Sequence, residues 1–477
     1  MFPIETGTSI MWLILLPILA AVMTPFKDQY RTAYYVWTLS MATLYVCLIA
    51  VTPVTDQTVR FLNVFVFSID KYSWLFTLLI GICWFITVLY GSAYTRFHFR
   101  VSASKFYTYL NLTVAVITAN SLAGNLSTLF LFYMLSIPMI YPLLIIRKTR
   151  EMRLAAKSYL LNVGLPPLLL VLPVLCYIWY RSGSMEFHHA AHNWIHTEPL
   201  LGSLILFLFV IGFSKNSVAP FHLWLPRTAH APSPVSALVH SVASVQTGTV
   251  ALVKIAVYFY GLDNMQALNN VIWHTGWLNY LCGFTAIYTA WKAYKTHDLK
   301  KRFSFSTVGQ LSYIITAILI GTSASLLGAV LHIVTHSFAK MCLFFVAGFY
   351  ESSYGTVKTH DITKIAPYHK WIVVAVGIAG LSITGFPFLA GYYSKDLMLL
   401  EEIHTKHYAS ALFLLMGSVI NFMYILPILK AGFLTKVRQP LIVKPIPPAM
   451  GIAISICCLA LVALNFYVYH LMRLLAQ

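Results

Sequence analysis

Apolar runs of about twenty residues follow one another along almost the whole of this 477-residue chain. That length spans the hydrocarbon core of a bilayer when helical. In lipid, only helices and closed barrels satisfy their own backbone hydrogen bonds. The runs are continuous rather than alternating, so the chain is predicted to be an all-α polytopic membrane protein. About fourteen transmembrane helices are expected, near 9–25, 33–52, 72–93, 106–123, 125–146, 157–180, 200–219, 234–260, 268–291, 305–321, 323–350, 371–394, 409–430 and 447–472. Composition agrees, with 59% hydrophobic and 10% charged residues, where a soluble chain carries roughly 25% charged. The first residues, MFPIETGTSIMWLILL, lack a basic n-region and a small-residue cleavage site, and read as a retained first helix. Residues 58–70 alternate apolar and polar side chains, the pattern of a short hairpin.

The net charge of +18 would suggest nucleic acid on a soluble protein. Here the positives sit in the loops between spans, where they set orientation. Arg147, Lys148, Arg150, Arg153 and Lys157 follow the fifth span, and Lys292, Lys295, Lys300, Lys301 and Arg302 follow the ninth. Loops after odd-numbered spans are therefore expected on the cytoplasmic side and both termini on the other. The bilayer, with its anionic headgroups, and acidic partner subunits are the expected users of the charge; nucleic acid is not. The seven cysteines lie in apolar runs and form no CxxC, so neither an iron–sulfur cluster nor a disulfide framework is expected. No phosphate loop or dinucleotide fingerprint is visible. No cofactor is expected in this chain, and any catalytic chemistry would belong to other subunits.

Two spans are interrupted. The seventh carries Lys215 and breaks at Pro220, and the twelfth is interrupted by Gly385-Phe386-Pro387 and Gly391 before Lys395 and Asp396. The breaks are five spans apart, and an odd offset places two units in opposite orientations. Paired broken helices in inverted repeats mark transport sites. The expected organisation is residues 1–105 for helices one to three with the hairpin, 106–262 and 263–434 for two inverted five-helix repeats, and 435–477 for the last helix.

Ionisable groups inside spans are expensive and are functional by default. Lys215 sits beside the first break; an amine held from water can trade a proton near neutral pH, although a lysine snorkelling to the interface is the alternative. His332, His336 and Lys340 recur every four residues and so share one face of an apolar helix. Such a stripe resembles a proton relay; satisfied core histidines and a metal site are the alternatives, though no acid lies between the histidines as in HExxH. Lys395 and Asp396 are either a coupled acid–base pair or an interfacial ion pair. His240 lies on a serine-rich face with Ser236, Ser241 and Ser244, and reads as a relay member or a hydrogen bond between helices. Gln246 can bridge waters without titrating, and Lys254 is expected to be buried or near the opposite interface. His188, His189, His192 and His196 form a loop cluster, read as solvated in preference to metal-binding. No metal site is assigned.

Four stretches carry a resemblance: PFHLWLPRTAHAPSPVSALVHS (220–241), DLKKRFSFSTVGQLSYI (298–314), LHIVTHSFAKMCLFFVAG (331–348) and GFPFLAGYYSKDLML (385–399). They closely resemble the antiporter-like membrane subunits of respiratory complex I and of Mrp sodium/proton antiporters, most of all the distal complex I subunit. That family also supplies the membrane subunit of an inorganic-carbon uptake system. The resemblance implies a polar axis at the membrane midplane, with Lys215 as the broken-helix lysine, His240 as the eighth-span histidine and Lys340 as the central lysine. It likewise makes His332 and His336 the flanking histidines and Lys395 the twelfth-span lysine. It implies proton or sodium/proton translocation within a multisubunit complex, residence in a bacterial inner membrane, and redox cofactors only in other subunits.

Three departures qualify this. The family has a fifth-span glutamate paired with the broken-helix lysine, and aligning NLSTLFLFYMLSIP (125–138) puts Met134 there; Lys215 then needs another partner or holds its proton less firmly. Many members have a lysine where this chain has Gln246. The lateral helix of the distal complex I subunit is not expected after the last span. These departures keep open an alternative, a cation-conducting partner of a soluble zinc-containing subunit that hydrates carbon dioxide.

Overall fold

The computed structural model describes residues 6–23, 30–61, 65–97, 102–187, 198–272, 276–435 and 442–476. Apart from one two-stranded hairpin, they fold as helices. These are α1 (Thr6–Val22), α2 (Arg31–Val51), α3 (Lys71–Phe97), α4 (Ala103–Ser121) and α5 (Leu126–Leu144). A single long helix, α6 (Arg150–Ser182), follows, then α7 (Pro199–Gly212), a short α8 (Trp224–Thr228) and α9 (Ser233–Tyr260). Next come α10 (Leu262–Asn269), α11 (Trp277–Lys295), α12 (Leu299–Ile320), α13 (Ser323–Tyr354) and α14 (Thr359–Ile365). The last are α15 (Lys370–Thr384), α16 (Ala390–His404), α17 (Tyr408–Leu434) and α18 (Pro448–Ala476).

Among the described residues, nine helices are long and apolar enough to cross a membrane, and α1, α7 and α15 are shorter apolar helices. The protein is a multi-pass integral membrane protein. The predicted hairpin is present, with β1 (Thr55–Phe61) pairing antiparallel with β2 (Phe65–Ile69). One span starts later than expected. The residues before Trp277 include the separate helix α10, and Gly276 leads into α11 with φ of 77°. The histidine-rich loop 188–196 lies outside the described residues.

Which helices face lipid follows from burial. In α2, α17 and α18 only about a third of the most apolar window is buried, whereas in α9, α12 and α13 the share is 89%, 94% and 100%. A helix apolar all round must be surrounded, and here the surroundings are protein. At 32 residues α13 is about 48 Å long, and it runs through the middle of the molecule against α12, α15, α16 and α18. The stripe of titratable residues lies on this helix.

The second interruption falls where the sequence suggests, but the first comes earlier: α7 ends at Gly212, so Lys215 lies in the turn that follows and not in a helix running on to Pro220. After α7 the chain makes one tight turn over Ser214–Asn216, and Ser217 then takes a left-handed conformation (φ 56°). The backbone freed there finds partners: the Lys215 N–H donates to the Tyr133 hydroxyl at 3.0 Å, and Trp224 Nε1–H donates to the Ser214 carbonyl at 3.2 Å. The second break ends α15 at Gly385 (φ 85°) and resumes at Ala390. Gly391 lies against the end of α15, and a Cβ there would stand 1.8 Å from the Ser382 carbonyl oxygen. Overpacking against backbone is destabilising by about 1–3 kcal/mol. Gly391→Ala is therefore expected to lower the thermal unfolding midpoint in detergent; an unchanged midpoint would mean that the two halves of span twelve are not locked here.

Candidate functional site

Among the described residues, three lysines are buried without a carboxylate. Lys215 is fully buried in the turn after α7, its ammonium bonded to the Ser136 hydroxyl and lying 4.8 Å from the centre of the Tyr133 ring. Lys340, on α13, donates to the Phe303 carbonyl at 3.0 Å and to Ser306 Oγ at 2.8 Å. Lys395, on α16, donates to Ser418 Oγ at 2.7 Å and sits 5.3 Å from the Tyr313 ring centre. Hydroxyls, a carbonyl and aromatic faces thus take the place of counter-charges. Among the described residues none of the three makes a salt bridge.

In place of the acid absent at Met134, Lys215 has found another partner, one of the two outcomes left open by the sequence. Tyr133 and Ser136, three residues apart on α5, are the side chains that reach the lysine. Met134 is one residue on, about 100° round the helix, and is only half-buried among apolar neighbours. The position opposite the broken-helix lysine is therefore filled by a tyrosine.

Between the lysines lie the histidines. His240 is fully buried in a wide π-type turn of α9, Val239–Ala243. Such turns re-aim a side chain and recur at functional sites. Its Nε2 is 3.1 Å from Ser304 Oγ, and its ring stacks on Phe344 with centroids 4.5 Å apart. Ser304 is adjacent to Phe303, whose carbonyl Lys340 holds, so α12 joins His240 to Lys340 within one turn. His332 is held on both sides, Nδ1 by Ser394 Oγ at 2.9 Å and Nε2 by Gln310 Oε1 at 3.0 Å. Ser394 precedes Lys395, so this bond ties the stripe to span twelve. His336 lies between, its ring centre 6.4 Å from that of His332, and both its ring nitrogens are buried without a protein partner.

Lys254 is buried as expected, Gln246 is held by backbone, and among the described residues Asp396 forms no ion pair. Gln246 donates from Nε2 to the Phe76 carbonyl at 2.8 Å and leaves Oε1 unpartnered. Lys254 is sequestered in an ion pair with Asp70 at 3.4 Å, well away in sequence. Asp396 does not pair with Lys395; it is half-exposed and makes no salt bridge among the described residues. At the far end of α13, Glu351 gathers Arg147 at 3.0 Å, Lys300 at 3.3 Å and the Ser233 hydroxyl at 2.7 Å. Sequence reasoning missed Tyr133, Ser136, Ser304, Ser306, Gln310 and Ser394. The hydroxyl-rich FSFSTVGQ of α12 was the available signal for three of them.

A family model described as NADH:quinone oxidoreductase/Mrp antiporter, transmembrane, matches residues 123–421, more than half of the chain. The chain belongs to this family. Every residue from Lys215 to Lys395 described above falls inside the matched segment. Among relatives, the chloroplastic NAD(P)H-quinone oxidoreductase subunit 5 of Adiantum capillus-veneris is 28% identical over 70% of this chain and 46% of its own length. The putative antiporter subunit mnhA2 of Staphylococcus aureus is 26% identical over 79% of this chain and 49% of its own length. The chain thus spans less than half the length of either relative. One chain of the archaeal membrane-bound sulfane sulfur reductase shares the fold, with a TM-score of 0.85 at 18% identity over 99% of this chain and 96% of that one.

Proposed function

We propose that this chain is the proton-translocating subunit of a larger membrane complex and that protons move along Lys215, His240, Lys340, His336, His332 and Lys395, with water filling the gaps. The single observation that carries the reading is His336. It sits between His332 and Lys340 on one face of the most buried helix, with neither ring nitrogen satisfied by protein. Leaving a buried polar group unsatisfied is destabilising by about 1–3 kcal/mol. Water bridging to its neighbours on the stripe removes that penalty and completes the wire. The carried ion on this segment is a proton. Hard metal cations need several oxygen ligands, with carboxylates prominent, whereas between Lys215 and Lys395 the axis offers amines, imidazoles and isolated hydroxyls.

No redox cofactor is proposed for this chain; the driving reaction belongs to partner subunits. Mass spectrometry of the natively purified complex separates a redox module from the zinc-bearing, carbon-hydrating partner.

The test is His336→Leu in the complex reconstituted into liposomes with a trapped pH dye. Removing an unsatisfied imidazole is expected to leave the unfolding midpoint unchanged or raised. Proton flux under an imposed potential is expected to fall by about a hundredfold, the scale of a lost acid–base group. Flux at the wild-type level would end the relay reading.

A further inference from the structure

Span twelve carries a buried acid that this pathway has not used. Glu402 lies on α16 seven residues after Lys395. Seven residues turn an α-helix by roughly 700°, so the two side chains share a face within about 20°, some 10 Å apart along the axis. Asp396, the acid next to Lys395 in sequence, is turned about 100° away. Glu402 is 2% exposed, its Oε2 has no hydrogen-bond partner, and among the described residues it makes no salt bridge. An unpaired carboxyl group inside a membrane protein is costly and is kept for function.

Its place in the fold continues the pathway. The bond from Thr322 Oγ1 to Glu401 Oε2, 2.7 Å, pins this end of α16 to the start of α13. Glu402 therefore lies beyond His332 and Lys395, at the end of the molecule opposite Glu351. Past it the chain turns at His407, whose N–H donates to the Glu402 carbonyl at 2.7 Å. The His407 ring reaches Asn270 Oδ1 at 3.3 Å, and Asn270 is half-exposed. Asn269, Asn279 and His407 converge on Gly276, where a Cβ would meet the two amide nitrogens at 2.8 Å. Asn279 Nδ2, Asn269 Oδ1 and the Tyr313 hydroxyl on neighbouring helices are also buried without partners. The span thus ends in a cluster of underused polar groups suited to water.

We propose that Glu402 carries protons from Lys395, past the buried His407, to the surface at Asn270. This rests on the relay proposed above. In each turn the Lys395 ammonium gives one proton through water to the Glu402 carboxylate, leaving a neutral amine and a carboxylic acid. The acid then releases that proton to water beside Asn270 and returns to carboxylate. The titratable groups around it are Lys395, Asp396, Glu401 and His404 on its own helix, Tyr313 on α12, His332 on α13 and His407 in the following turn.

The test compares Glu402→Gln, Glu402→Asp and Lys340→Met in the native complex, reconstituted with a trapped pH dye and driven by a valinomycin–potassium potential. Glu402→Gln keeps the shape and is expected to cut proton flux at least tenfold with an unchanged unfolding midpoint. Glu402→Asp is expected to recover part of the flux with an altered pH profile. Wild-type flux in Glu402→Gln beside lost flux in Lys340→Met overturns the outlet and leaves the relay standing. Wild-type flux in both overturns the relay and the outlet with it. If Glu402→Gln fails to assemble, Glu402→Asp decides, and an unchanged pH profile overturns the proposal.

Discussion

Lys340→Met is expected to abolish proton transport, with a loss of about a hundredfold or more, while the complex still assembles. The lysine stands where two parts of the molecule meet. On one side, His240 of α9 reaches Ser304 of α12 at 3.1 Å. On the other, Lys340 of α13 reaches Phe303 and Ser306 of the same turn at 3.0 and 2.8 Å. Tyr424 of α17 donates to Ser306 as well. Methionine fills the volume and removes the amine that joins this turn of α12 to α13. Lys340→Arg sharpens the test, because a guanidinium stays charged throughout the physiological range. If positive charge alone were needed, arginine would support transport; the relay requires that it fail as methionine does. Flux into dye-loaded liposomes under an imposed potential reads both variants. Wild-type rates in Lys340→Met would remove the centre of the pathway.

What could be read from sequence divides along a physical line. Helices were legible because their length and apolarity answer to the bilayer, and the stripe His332–His336–Lys340 because a spacing of four is a property of one helix. The break at Gly385–Pro387 was legible because it is a local backbone event; the first break was legible too, but α7 ends at Gly212, ahead of Pro220. Pairings between helices were not. Tyr133 and Met134 are neighbours in sequence, yet about 100° separates them, and only packing shows which one meets Lys215. The same ambiguity favoured Asp396, adjacent to Lys395, over Glu402, which shares its face. The hydroxyls that hold the amines and imidazoles come from α5, α12, α16 and α17, at sequence separations of 23 to 79 residues. No local pattern could assign them.

Lys254 shows what a buried lysine looks like when it is structural, and it predicts a large effect of the opposite kind. All three of its donors are used: Asp70 Oδ2 at 3.4 Å, Ser73 Oγ at 2.7 Å and the Ala123 carbonyl at 2.6 Å. Asp70 is equally engaged, since its Oδ1 accepts the N–H groups of Tyr72 and Ser73 at 3.0 and 2.9 Å and its Oδ2 accepts the Ser73 hydroxyl at 2.6 Å. The carboxylate also stands at the start of α3, where the helix dipole favours negative charge. One contact set thus fastens the end of the hairpin, the start of α3, the α4–α5 connection and α9. Removing either partner leaves the other as an uncompensated buried charge, a loss of about 3–5 kcal/mol. Lys254→Met and Asp70→Leu are each expected to lower the unfolding midpoint sharply and to reduce the amount of assembled complex. The double variant should recover much of that loss, because two apolar groups replace a charge pair and leave neither stranded. Proton flux per assembled molecule should be unchanged in the double variant, since no proton needs to leave an amine whose donors are all occupied. A double variant that is stable but transport-dead would instead place Lys254 on the pathway. It would then be a paired lysine on a route whose other amines, Lys215, Lys340 and Lys395, have no carboxylate partner.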